Sequence, residues 1–189
     1  IFGYHFASLD IRQDSRIHSK VFESVFKTSQ SYLGKIFPDN YLDLSEEEKV
    51  KVLSNIKGDV PLDLFKDEQA VSTLGSIRAM KTIQNINGEK GSNRYIISNN
   101  QNALNILEVF SMFRLSGWEF PSVDIIPLFE TVSDLTVAAK VMESVYSNEV
   151  YRNHLSSRAN KQTIMLGFSD GTKDGGYLMA NWSILKAKE

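Results

Sequence analysis

Cysteine is absent from the 189 residues. Disulfide frameworks, thiolate zinc sites and cysteine nucleophiles are thereby excluded, which leaves histidine, carboxylates, lysine, arginine and hydroxyls to carry any chemistry. An excess of one charge is lacking too. Lys and Arg number 21 against 23 Asp and Glu, so a net charge of −2 gives no basic field to hold nucleic acid or an acidic membrane surface. No apolar run approaches the about 20 residues of a membrane span; those around Ile125–Phe129 and Val137–Ala139 are far shorter. No secretory signal opens the chain, so the expected location is cytoplasmic. Neither a GxGxxG after the first strand-like run nor a GxxxxGK followed by Ser or Thr occurs, and the usual dinucleotide and P-loop versions of an α/β fold lose their support. The three histidines, His5, His18 and His154, share no motif and read as structural. Asn181-Trp182-Ser183 fits a glycosylation sequon but falls inside an expected helix, and is rejected.

What is present suffices for a core: hydrophobic residues make up 42% and aromatics 11%. In Tyr4–Arg12, apolar Ala7, Leu9 and Ile11 alternate with Ser8, Asp10 and Arg12, the period of a strand. Asp14 or Ser15 then caps a helix whose Ile17, Val21, Val25 and Phe26 keep the helical repeat to about Leu33. From 34 to 91 nothing reads as a buried strand, and this stretch is expected to be a helical insertion. Within it, Ser45-Glu46-Glu47-Glu48 is a capping-box pattern, and a second helix is expected over Asp67–Asn85, ended by Asn87-Gly88. Beyond Asn93, strands are expected at Arg94–Ser98, Asp124–Glu130 and Thr163–Phe168. Helices are expected at Asn102–Leu115, Ser133–Ser147, Glu149–Ser157 and Gly175–Lys186. Pro127 sits awkwardly in its strand because it cannot donate to a ladder. The Phe22/Phe26 and Phe110/Phe113 pairs read as core.

Strand and helix alternating four times over is the pattern of a parallel sheet with crossover helices, so the fold class is α/β. The strand ends then carry Arg12, Ser98 with Asn99, Glu130, and Ser169-Asp170-Gly171-Thr172-Lys173. In a parallel sheet these project from one rim, as functional groups do in a (β/α)8 barrel. Glu130 and Asp170 form a natural pair for Mg2+ or Mn2+, which one or two carboxylates hold together with water and substrate oxygens. Arg12 suits a bidentate grip on an oxyanion, and Lys173 supplies a compact positive charge, so the rim suits an anionic substrate with phosphate or carboxylate groups. Each residue also has a plainer role. Glu130 favours a helix N-terminus, Asp170-Gly171 suits an ordinary turn, Lys173 suits a solvated loop, and Arg12 has Asp10 and Asp14 as nearby partners.

The segments LDIRQDS (9–15), YIIS (95–98), IPLFETVSDL (126–135) and MLGFSDGTKDGGYLMANW (165–182) resemble, in order and spacing, the central region of phosphoenolpyruvate carboxylase. VMESVYSNEVYRNHL, between the last two, is similar to the family's helix and tyrosine-arginine element. The resemblance spans nearly the whole chain and is weakest over 34–91. It implies that residues 1–189 are part of one (β/α)8 (TIM) catalytic barrel, about four β/α units with the helical insertion. It also implies an enzyme that joins phosphoenolpyruvate and bicarbonate into oxaloacetate and phosphate with Mg2+ or Mn2+, through carboxyphosphate and the enolate of pyruvate. By the same resemblance Glu130 and Asp170 fall on the metal ligands, Lys173 on the active-site lysine, and Arg12 on an anion-binding arginine; Ser98 is expected at the substrate side.

Two features of that family, a threonine-alanine-histidine-proline segment and an arginine/glycine-rich loop, do not occur in these residues. Gly171-Thr172 also stands where a serine and a small or polar residue are expected, although the spacing from Asp170 to Lys173 is kept. The expectation is therefore a central catalytic fragment, inactive alone. Its open sheet edges and uncovered apolar surface predict a homo-oligomer. Another metal-dependent barrel lyase or aldolase acting on phosphoenolpyruvate or pyruvate, or a binding module with a degenerate site, are the competing expectations.

Overall fold

The computed structural model describes residues 7–32 and 36–189. Four strands, β1 (Asp10–Asp14), β2 (Arg94–Ser98), β3 (Asp124–Phe129) and β4 (Met165–Leu166), form a parallel sheet in chain order. Parallel neighbours require crossovers. Helix α1 (Ser15–Tyr32), α2 (Glu46–Asn55) and α3 (Glu68–Asn87) lie between β1 and β2, and α4 (Ala103–Leu115) between β2 and β3. Helices α5 (Val132–Ser147) and α6 (Glu149–Ser157) precede β4, and α7 (Phe168–Lys188) follows it. The chain is a helix-rich α/β protein, and among the described residues no helix is long and apolar enough to cross a membrane.

Local chemistry sets most helix starts. The Asp14 carboxylate accepts the Arg16 N–H at 2.8 Å, as a capping residue should. Ser45 and Glu48 complete the expected capping box at α2, and Thr131 with Asp134 makes a second one at α5. Asp67 caps α3, which ends at Gly88 with φ 87°, a conformation glycine tolerates best.

Alternation along the strands then separates two faces. Tyr95, Ile97, Ile125 and Phe129 point toward the helices and share one core with Val21, Phe22, Leu53, Leu74, Ile106 and Phe113. Burying each such side chain contributes about 1.5–3 kcal/mol before entropy is counted. Helices α2 and α3 contribute Leu53, Leu74, Ile77 and Met80 to this same core. On the opposite face Ile96, Ile126 and Leu128 pack with Met165 in a small separate cluster.

Several boundaries differ from the sequence expectations. The first strand runs over Asp10–Asp14 and not Tyr4–Arg12; residues 4–6 lie outside the described residues, as do His5, Leu33 and Gly34. The reason is pairing: Asp10 is aligned with Arg94, the first residue of β2, so among the described residues 7–9 lie outside the ladder, and Leu9 is exposed. Arg12 is therefore the middle of β1 and not its end. The fourth strand shrinks from Thr163–Phe168 to Met165–Leu166, because the Gln162 amide occupies the Ile125 carbonyl at 2.8 Å and the helix begins at Phe168. Helix α7 thus starts well before Gly175 and is interrupted at Gly176 (φ 81°), which places Ser169–Lys173 on a helical turn instead of a loop.

Pro127 keeps its place in β3. The Leu128 carbonyl accepts from Asn100 on the β2 side, whereas the Ile125 and Phe129 carbonyls accept from Gln162 and Gly167 on the β4 side. Alternation turns the Pro127 nitrogen toward β4, where pairing begins only at Leu128, so no ladder bond is lost.

Candidate active site

One carboxylate, Glu130 at the end of β3, ties the middle of β1 to the C-terminal end of β2. Glu130 follows β3 directly and lies on the face that carries Ile126 and Leu128. Arg12, aligned with Ile96 in β2, shares that face. Its Nη2 donates to Glu130 Oε1 at 2.8 Å, and the Asn99 backbone N–H donates to Oε2 at 2.9 Å. The Glu130 side chain is 17% exposed and that of Arg12 53%, so a largely covered carboxylate meets a guanidinium with free donors facing solvent. Asn99 has φ 54°, unusual for a residue with a side chain. Its carbonyl accepts from Ser15 Oγ at 2.6 Å, joining the start of α1 to the same corner.

The segment around Asp170 packs against Glu130 through glycine. Gly167 N donates to the Phe129 carbonyl at 2.8 Å, and a Cβ on Gly167 would lie 3.0 Å from Glu130 Cα. A Cβ on Gly171 would stand 3.4 Å from the Glu130 carbonyl oxygen. The Asp174 carboxylate accepts the Val132 N–H at 3.0 Å and fixes the far end of the segment to α5.

Of the residues singled out in the sequence, Arg12 and Glu130 are brought into direct contact. Asp170 and Lys173 pair with each other at 3.1 Å on an exposed turn, a contact worth little by itself. Ser98 ends β2 beside Asp14 and is buried. Asp14 is engaged by Arg16, whose hydrogen bond holds the Asp14 carboxyl below its ordinary pKa. Asn99 was placed at this rim with Ser98, but its hold on Glu130 was not foreseen, and Ser15 escaped the sequence reading as a member of this corner. Ser15 was legible only as a helix cap, and Asn99 only as a rim residue, because the backbone contact to Glu130 spans 31 residues.

Among the described residues no group of three or more His, Asp or Glu stands together as a metal-ligand cluster. Each Glu130 oxygen accepts one hydrogen bond and retains lone-pair capacity, and the Asp170 side chain is half exposed. Two oxygen donors of this kind fit Mg2+ or Mn2+, which complete their shell with water and substrate oxygens. A cavity of about 400 Å³ between α5, β4 and α7, lined by Ala138, Met142, Tyr146, Ile164 and Leu166, includes none of these rim residues.

Residues 1–189 match the family described as phosphoenolpyruvate carboxylase. A phosphoenolpyruvate carboxylase of Nitrosomonas eutropha is 38% identical over 100% of this chain and 21% of the relative. One from Corynebacterium diphtheriae is 35% identical over 99% of this chain and 21% of its own length. Another, from Thermosynechococcus vestitus, is 34% identical over 100% of this chain and 19% of its own length. The chain spans about a fifth of the length of these relatives. With the match running from its first residue to its last, the chain belongs to the phosphoenolpyruvate carboxylase family.

Proposed function

We propose that this chain supplies part of the active site of a phosphoenolpyruvate carboxylase, an enzyme that forms oxaloacetate and phosphate from phosphoenolpyruvate and bicarbonate. The observation that carries the reading is the Arg12–Glu130–Asn99 junction, which joins the middle of β1 to the C-terminal ends of β2 and β3, in a chain matched along its whole length by that family. The four parallel strands are in this reading part of a (β/α)8 barrel, whose chemistry belongs at the C-terminal rim.

Glu130 and Asp170 would hold Mg2+ or Mn2+. When bound, the ion neutralises phosphate oxygens and the charge that develops on an enolate oxygen. Arg12, with donors still facing solvent, grips a carboxylate or phosphate through its planar fork, and Lys173 adds a point charge beside it. Together they hold two anions that would otherwise repel each other, converting their encounter into a positioned one. Self-association uses the exposed Tyr177, Leu178, Trp182 and Leu185 of α7, and a strictly monomeric species in light scattering would count against it.

The test uses the full-length protein that carries this segment. Bicarbonate-dependent oxaloacetate formation is expected, with metal-dependent turnover lost in Glu130→Ala and in Asp170→Ala. Turnover of phosphoenolpyruvate or pyruvate that ignores bicarbonate would favour a lyase or aldolase instead. Unchanged metal dependence in both variants would refute the ligand assignment. The 189-residue chain alone is expected to be inactive, and turnover near that of the full protein would overturn that part of the reading.

A further inference from the structure

We propose that Ser15 and Asn99 are positioning residues that fix the orientation of the Glu130 carboxylate and thereby set the site's affinity for a divalent cation. The inference rests on Glu130 being a ligand to that cation.

In a regular strand successive N–H groups point to opposite neighbours. At the end of β2 they do not. The Asn99 N–H donates to Glu130 Oε2 at 2.9 Å, and the next one, of Asn100, donates to the Leu128 carbonyl at 3.2 Å. Both are directed at the β3 side because Asn99 adopts φ 54°. For a residue with a Cβ this conformation is disfavoured, somewhat less so for asparagine, so something must hold it. The holder is Ser15. It is 3% exposed, its Oγ donates to the Asn99 carbonyl at 2.6 Å, and the Asn99 amide nitrogen returns to that Oγ at 3.4 Å.

Glu130 is thus gripped from one short segment by two routes. Arg12 on β1 holds Oε1 directly, and Ser15, three residues later at the start of α1, holds Oε2 through the Asn99 backbone. Ordered partners of this kind spare a ligand the entropy of choosing its orientation when the ion arrives, and their removal weakens metal binding by about 10–100-fold.

The experiment measures Mn2+ binding by the full-length protein from the electron paramagnetic resonance of the free ion, with thermal unfolding as a control for folding. Glu130→Gln is expected to weaken binding. Ser15→Ala is expected to weaken it about tenfold, and Ser15→Thr, which keeps the hydroxyl, to restore it. Asn99→Gly keeps both the left-handed turn and the N–H and is expected to bind near the wild-type level, whereas Asn99→Val, which resists positive φ, should behave like Ser15→Ala. If Ser15→Ala fails to fold, the Asn99→Gly and Asn99→Val pair decides. Wild-type affinity in Asn99→Val alongside weakened binding in Glu130→Gln would overturn the positioning role alone. Unchanged affinity in Glu130→Gln would overturn the ligand reading, and this inference with it.

Discussion

On the helix side of the sheet, Tyr95, Ile97, Ile125 and Phe129 disappear into a continuous core shared with every long helix from α1 to α5. On the other side, Ile96, Ile126, Leu128 and Met165 form a cluster of their own, and next to it β1 presents Asp10, Arg12 and Asp14. The same strands thus carry two kinds of surface. The helix face is held by burial, which is strong and indifferent to direction. At the rim of the other face, groups are held by hydrogen bonds, which are individually weaker but fix angles. The difference teaches how one sheet separates two tasks: the first face sets the scaffold, and the second holds side chains at fixed angles, where the proposed function places the chemistry.

Substitutions on the two faces should therefore separate stability from activity. The largest stability effect is expected at Phe113, fully buried against Tyr95 and Trp118: Phe113→Ala should cost about 3–5 kcal/mol in denaturant unfolding. Ile126→Ala, in the smaller cluster, should cost about 2 kcal/mol, at the low end for such a truncation. An equal or greater cost there would break the contrast. Arg12→Ala should move stability by less than about 1 kcal/mol, because its ion pair is half exposed, while greatly reducing turnover of the full-length carboxylase. A large stability loss with unchanged turnover would reverse the assignment.

The helix side also contains buried titratable groups, and these give the smallest, pH-dependent effects. Burial lowers His18 and His154 to about 4, so between about 4 and the ordinary 6.5 the unfolded chain binds the extra protons and stability falls as pH falls. Glu108 has the opposite sign. Burial raises it to about 7, so the folded state keeps a proton that the unfolded chain releases above about 4.5, and stability falls as pH rises through that window. Glu108→Gln should therefore gain stability relative to the native sequence from pH 4.5 to 7 and show a constant difference above that. A difference that does not change with pH would place Glu108 in water.

The contrast between faces also explains what could be read in advance. Arg94–Ser98 was legible to the residue because an almost unbroken apolar run is buried on both sides. Ser45 with Glu48 announced α2 because a capping box is complete within four residues. Phe110 and Phe113 read as core and are buried. β1 and β4 were misplaced because a strand extends only as far as a partner does, and no local pattern states where the partner begins. The partner of Arg12 was hidden for the same reason. Sequence proximity offered Asp10 and Asp14, but Asp10 pairs with Arg94, Asp14 with Arg16, and Arg12 reaches Glu130, 118 residues away.

By itself, then, the sequence determined the chemistry available without cysteine, the alternation of strands and helices, the helix caps and the residue types at the rim. Those properties depend on composition and on neighbours a few residues apart, where backbone geometry leaves few choices. Tertiary structure decided which carboxylate meets Arg12, the left-handed turn at Asn99, the hold of Ser15 on it, and the helical turn that carries Asp170 and Lys173. Those depend on hydrogen-bond partners far apart in the chain, which alternation cannot choose and which only the register of parallel strands brings within reach.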